Sequence, residues 1–237
     1  MKLIVNSDDF GLTPGVNLGI IDALKRGILR STTAMMNQAA IEMAAQLAKA
    51  NPELGVGLHL VLTAGKPLLK THQTIVDENG SFLKNAALVR KHDVDVEEVF
   101  AEYVAQMERY IELFGQKPTH IDGHHHTHQL PQTIEATKRL AEQYGVKYIR
   151  GVESDVAFIP DFYGPNIDFN QFKKVLDRHL DHEYVELMCH VALIDVDLIQ
   201  CSTYNFDRVY ELETLISAQA KAYITEHKIE LMHFGSY

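Results

Sequence analysis

The chain predicts an α/β fold: a distorted (β/α) barrel of about seven parallel strands forming a single domain over residues 1–237. Three observations carry that reading. Short apolar runs alternate with amphipathic segments of helical period along the whole chain. Polar residues follow nearly every apolar run, as they do where barrel strands end at a shared active face. No Ser/Gly-rich linker and no internal repeat divides the sequence.

The elements follow in order. Leu3–Asn6 reads as a buried strand ending at Asp8 and Asp9. Thr13 then Pro14 opens a helix, with a capping hydroxyl before a proline at the first helical position. Val16, Ile20, Ile21 and Leu24 give it an apolar face, and Gly27 can end it. Thr32–Met36 is a second strand, Ala39–Ala50 a helix stopped by Asn51-Pro52, and Val56–Leu60 a third strand. The stretch from Val61 to about Asp93 is long and irregular, which inside a compact domain suggests a functional loop or lid. A strongly periodic helix runs from Val96 to Phe114, closed by Gly115 and Pro118. Thr119–Asp122 is the fourth strand, Pro131–Tyr144 a helix and Val146–Ile149 the fifth strand. Arg150–Ile167 is again irregular. A helix carrying Phe169, Phe172, Leu176 and Leu180 leads to a sixth strand, Tyr184–Cys189. One helix through Val209, Leu212, Leu215, Ile216 and Tyr223 leads to a last strand, Ile229–Met232.

Composition narrows the function. Apolar residues make up 46% of the chain, enough for a large core, and the formal net charge is -10. That charge argues against a general nucleic-acid binder. Two cysteines in 237 residues are no disulfide framework. The apolar run Leu3–Val5 is too short for a signal-peptide core, and no window approaches the ~20 apolar residues of a membrane span. The expectation is a cytoplasmic protein without membrane or nucleic-acid partners. Oligomeric state is left open, with a homodimer as the alternative to a monomer.

Three clusters could carry chemistry. The densest is His120-Ile121-Asp122-Gly123-His124-His125-His126-Thr127-His128, which holds five of the 13 histidines. Imidazole is the commonest neutral metal ligand near pH 7. Not all five need be ligands, and Asp122 and His128 could orient those that are. The plainer alternative is a polar hydrogen-bonded loop. The second cluster is Asn6-Ser7-Asp8-Asp9-Phe10-Gly11. Two adjacent carboxylates at the end of a buried strand are costly to desolvate without a cation. One of them could cap the next helix, but Thr13 already offers a cap. One can bind a metal while the other takes a proton from water. The third is His59 in Gly55-Val56-Gly57-Leu58-His59-Leu60. Taken alone it would be a packed core histidine, yet it falls at a strand end equivalent to the other two.

One carboxylate, two imidazoles and open positions describe a catalytic metal centre rather than a closed structural one. Acyl transfer also needs an acid for the leaving nitrogen, and His190 after the sixth strand is the candidate. Arg150 and His233, after the fifth and seventh strands, are candidate sugar-binding residues. Phe162 and Tyr163 join them as rings to stack on a pyranose face.

At these residues the sequence resembles the YdjC-like carbohydrate deacetylase family, over almost the whole chain. The matching stretches include Asn6–Leu12, Ser31–Ala34, Gly57–His59, Gly65–Leu68, Phe114–His126, Phe162–Gly164 and Val185–His190. The resemblance implies a distorted α/β barrel, a divalent metal and hydrolysis of N-acetyl groups on glucosamine oligosaccharides such as chitobiose. It implies metal-binding histidines at His59 and His124, with Asp8 as base and Asp9 as ligand. The family often has proline where this chain has Val191, and serine where it has Gly123. Zinc and magnesium are the expected metals, with nickel, cobalt and iron also compatible with the donors. Two alternatives stay open: a barrel metallohydrolase cutting another amide or a phosphoester, and a non-enzymatic histidine-rich metal-binding protein.

Overall fold

The computed structural model describes residues 1–237. Its centre is strand β1 (Lys2–Phe10), longer than the sequence suggests and buried over all but its first residue. Seven parallel strands form one sheet, in which β4 (Ile121–Gly123), β3 (Gly55–Leu60), β2 (Ser31–Ala34), β1, β6 (Tyr184–Cys189) and β5 (Ala157–Ile159) are neighbours in that order. The seventh strand, β7 (Glu230–Met232), pairs with β1 at Lys2–Ile4. Since β6 runs along one edge of β1 from Lys2 to Ser7, β7 and β2 divide the other edge between them.

The sheet curls into an incomplete barrel. Its two end strands, β4 and β5, do not pair with each other. Between them the Tyr148–Arg150 segment hydrogen-bonds to Ile121 through the Tyr148 carbonyl and the Arg150 amide. This corrects the fifth strand. Val146–Ile149 makes a single bridge to Ile121, and the strand beside β6 is Ala157–Ile159, inside the segment expected to be irregular. The 146–150 run is too short and too close to the turn at Gly151 to extend its pairing.

Helices cover the outer face. Helix α1 (Pro14–Arg26) starts as its sequence dictates, with Thr13 Oγ1 accepting from the Val16 amide. Next come α2 (Ile41–Ala50), a short α3 (Asn85–Arg90) within the long loop, and α4 (Val96–Phe114), which ends in a left-handed Gly115. They are followed by α5 (Ile134–Tyr144) and α6 (Phe169–Asp177). The single helix expected through Val209 and Tyr223 is two, α8 (Asp207–Ile216) and α9 (Ala218–Glu226), and a short α7 (Val196–Cys201) precedes them where a loop was expected. Ser217 breaks the run, its extended backbone closing α8 while its hydroxyl caps α9.

The two faces of the sheet differ in chemistry. Leu3 and Val5 join the main hydrophobic core under the helices. Ile4 points inward to a small apolar plug with Tyr148, Val156, Met232 and Phe234 at the bottom of the barrel. Because side chains alternate along a strand, Asn6 and Asp8 share the inward face with Ile4. Above the plug the interior is therefore polar, and it carries the site.

Candidate active site

The β1–β2 ladder slips between Ser7 and Phe10, where three steps along β1 match two along β2. That bulge holds Asp8 and Asp9 and re-aims both carboxylates. Asp9 sits at a φ of 71°, an uncommon conformation for a residue with a Cβ. The turn beyond it is fixed by Asn17 on α1, whose Oδ1 accepts from the Gly11 amide at 2.7 Å.

Register places the next pair. His59 on β3 lies beside Asp122 on β4, and the His59 Nδ1–Asp122 Oδ1 distance is 2.7 Å. Thr33 on β2 donates to Asp122 Oδ2 at 3.0 Å. Gly57, two residues before His59 on the same face, leaves room for the His120 ring, which a Cβ there would meet at 2.4 Å. With Nδ1 held by Asp122, His59 presents Nε2 to Asp9 Oδ1 at 3.4 Å. His124, first residue of the tight turn after β4, brings Nδ1 to within 3.1 Å of the same oxygen. Asp9, His59 and His124 thus offer ligand atoms that all lie within 4.8 Å of one another. Donors sharing one ion at ~2.1 Å sit roughly 3.0–3.4 Å apart, so this set fits a divalent metal.

Asp8 faces the other way. Its two oxygens accept from Arg150 Nη1 and Nη2 at 2.7 and 2.8 Å. The same guanidinium lies 2.9 Å from Asp122 and bonds Glu186 on β6 through Nε at 2.8 Å. A second grouping of possible ligands, Asp8, His59 and Asp122, is therefore already filled by a cation. His190 Nε2 lies 4.0 Å from Asp8 Oδ2, while its backbone amide donates to Glu211. Tyr163 and Tyr204 stack at 4.2 Å beside it.

The electrostatics ask for a positive charge. Burial would raise the carboxyl pKa of Asp8, Asp9 and Asp122, but Arg150 holds the first and third below the usual range and Arg208 the second. Three ionised aspartates face two guanidiniums. Burial alone would lower the His59 pKa; Asp122, with Asp9 and Asp8, instead pushes it up to about 10. That pull on a proton is the pull a bound cation would answer. Burial pushes Glu186 up to about 7 and Glu211 up to about 8. Burial also takes His190 down to about 4.

Three expected sugar contacts are corrected. Arg150 is fully buried with its guanidinium turned to carboxylates, so it orients Asp8 and offers nothing to a sugar. Phe162 is fully buried against Phe172, while its neighbour Tyr163 is half exposed. His233 packs against Gly55 at the start of β3. That is four residues, or about 13 Å, from His59 at the other end of the strand. It lies there because β7 pairs with the first residues of β1. Of the histidine run, only His124 joins the ligand set: His125 meets Thr63, and His128 Nε2 meets the Arg150 carbonyl. Sequence reading missed Glu186, Arg208 and Glu211. Glu186 left a trace, a lone charge in the apolar run Val185–Cys189.

An incomplete parallel barrel that gathers carboxylates and imidazoles at its strand ends puts the chain among α/β enzymes built on that face. The chain belongs to the YdjC-like protein family, whose profile matches residues 2–226. It is 39% identical to a carbohydrate deacetylase of Clostridium beijerinckii, over 99% of both chains. It is 41% identical to a chitooligosaccharide deacetylase of Escherichia fergusonii, over 99% of this chain and 97% of that one. A crystal structure from Enterococcus faecalis V583, described as a candidate cellobiose-phosphate cleavage protein, superposes with a TM-score of 0.92. It shares 34% identity, over 99% of this chain and 98% of that one.

Proposed function

We propose that the chain is a metal-dependent hydrolase that removes N-acetyl groups from N-acetylglucosamine-containing oligosaccharides. The observation that carries this reading is the convergence of Asp9 Oδ1, His59 Nε2 and His124 Nδ1 beside a separate, Arg150-held carboxylate, Asp8. The names of the relatives support the substrate class.

Asp9, His59 and His124 would hold the ion. When bound, it supplies Lewis acidity toward the acetyl carbonyl and the attacking water. Asp122 keeps His59 turned so that Nε2 is the donor nitrogen. Asp8 takes the proton as the water oxygen attacks the carbonyl carbon, and Arg150 keeps Asp8 ionised and aimed for it. His190 protonates the leaving amine as the carbon–nitrogen bond breaks, giving acetate and a free amino sugar. Burial leaves His190 neutral near pH 7, so the proton it delivers is the one Asp8 has taken from the water, passed from Asp8 Oδ2 to His190 Nε2, 4.0 Å away, before the amine leaves. Tyr163, half exposed beside His190, is the ring against which the sugar packs.

The test is acetate release from di-N-acetylchitobiose by the full chain, after chelation and after adding back zinc, magnesium, nickel or cobalt one at a time. Acetate that appears only with metal supports the reading. Metal-dependent phosphate release from a phosphorylated disaccharide without acetate would replace it with phosphoester hydrolysis. Uptake of several ions per chain without turnover would favour a metal-binding protein.

A further inference from the structure

Arg208 lies outside every motif, 199 residues from Asp9 in sequence, yet its Nη2 donates to Asp9 Oδ2 at 2.6 Å. It is 2% exposed at the start of α8, and its Nε donates to the Tyr204 carbonyl at 2.7 Å. Asp9 is the one carboxylate within ion-pair distance of it. The third nitrogen, Nη1, is buried and without a hydrogen-bond partner, so no other anion accounts for the guanidinium's position. The two oxygens of Asp9 therefore have separate partners. Oδ1 faces His59 and His124, and Oδ2 is taken by Arg208. Rotating the carboxylate so that both oxygens met an ion would break a buried, charge-assisted hydrogen bond.

We propose that Arg208 is a positioning residue that restricts Asp9 to one-oxygen ligation. The inference rests on the reading of Asp9, His59 and His124 as a metal site. Its consequence is selectivity. Calcium takes roughly six to eight oxygens and favours two-oxygen carboxylates, whereas zinc is content with four donors. A site with one carboxylate oxygen and two imidazole nitrogens discriminates against the larger, harder ion.

Two measurements test this. The first uses the unaltered chain: an infrared difference spectrum, zinc-loaded minus metal-free. The wide separation between asymmetric and symmetric carboxylate stretches that marks one-oxygen ligation is expected; the narrow separation of two-oxygen ligation overturns the proposal. The second is calorimetry with zinc and with calcium on the unaltered chain, Arg208→Met and Arg208→Lys. Arg208→Met should shrink the preference for zinc over calcium by about 10- to 100-fold, the weight that partners of metal ligands usually carry. Arg208→Lys, which keeps a charged donor near Oδ2, should retain most of the preference. An unchanged preference in Arg208→Met, or equal weakening of both ions, overturns the proposal. If the unaltered chain binds neither ion, the metal reading itself has failed and takes this inference with it. If it binds zinc through two carboxylate oxygens, the metal reading stands and the role of Arg208 falls.

Discussion

Arg150 grips both oxygens of Asp8, at 2.7 and 2.8 Å, from a position with no exposed surface. The same guanidinium touches Asp122 and Glu186, so one cation spans three carboxylates from three strands. Removing it strands buried negative charge. Arg150→Met should destabilise the chain by about 3–5 kcal/mol, the usual cost of breaking a buried ion pair from one side. Urea unfolding at pH 7.5 measures it, and a loss below about 1 kcal/mol would mean the network is solvated.

Asp8 and Asp9 should separate in their effects. Asp8→Asn should cut turnover by about 10²–10⁴ with metal content near one per chain. Asp9→Asn should lose metal as well as activity. His190→Ala should slow turnover with metal retained. Metal analysis beside acetate-release rates decides the matter. An Asp8→Asn chain empty of metal, with Asp9→Asn still loaded, would reverse the two roles.

Asp122 acts on the site through His59, to whose Nδ1 it is bonded at 2.7 Å. Asp122→Asn keeps the shape and removes the charge that orients and polarises the imidazole. Metal affinity should fall by about 10- to 100-fold. Titration with a competing chelator reads this directly; unchanged affinity would make Asp122 a partner of Arg150 alone.

Phe162 and Tyr163 are adjacent and should behave oppositely. Tyr163→Ala removes a half-exposed ring and should raise KM for chitobiose with little change in unfolding free energy. Phe162→Ala opens a cavity beside Phe172 and should cost about 3–5 kcal/mol of stability. Paired kinetics and denaturation test both, and a KM effect confined to Phe162→Ala would invert the assignment.

Burial holds His120 down to about 3 and His128 down to about 4, from an ordinary value of 6.5. Both are neutral in the folded chain where the unfolded chain is already taking up protons. Below pH 6.5 the unfolded state gains protons at these two rings that the folded state refuses, so their contribution to stability should be complete above about pH 7 and be lost from 6.5 toward 4. The urea midpoint across that window checks it. The double variant His120→Phe with His128→Gln should flatten the slope, and an equal slope would assign it to other groups.

The strand ends were legible because hydrophobic period and polar punctuation are local signals. They point to Asp8, Asp9, His59, His124 and His190 without any knowledge of what pairs with what. What was not legible depends on pairing. His233 follows an apolar run like the others, but β7 is displaced toward the first residues of β1, which no local pattern records. Phe162 and Tyr163 lie in a segment too irregular for alternation to say which ring turns inward. Arg208 is one of 22 Lys and Arg residues, on a helix whose polar positions look alike, and its partner is almost the whole chain away.

Strand β1 finds its neighbours at residues 31–34, 184–189 and 230–232. During synthesis, then, the residues that carry Asp8 and Asp9 emerge before all of their partners and can pair along one edge only, with β2, until β6 follows. The Lys2–Ile4 part of the edge that β2 shares waits for β7. Until then the central strand is an open hydrogen-bonding template with an apolar run at Leu3–Val5, the state most exposed to wrong partners. Joining it to segments so distant also makes the closing step slow. Shortening the chain before residue 230 should therefore yield aggregation rather than a smaller barrel.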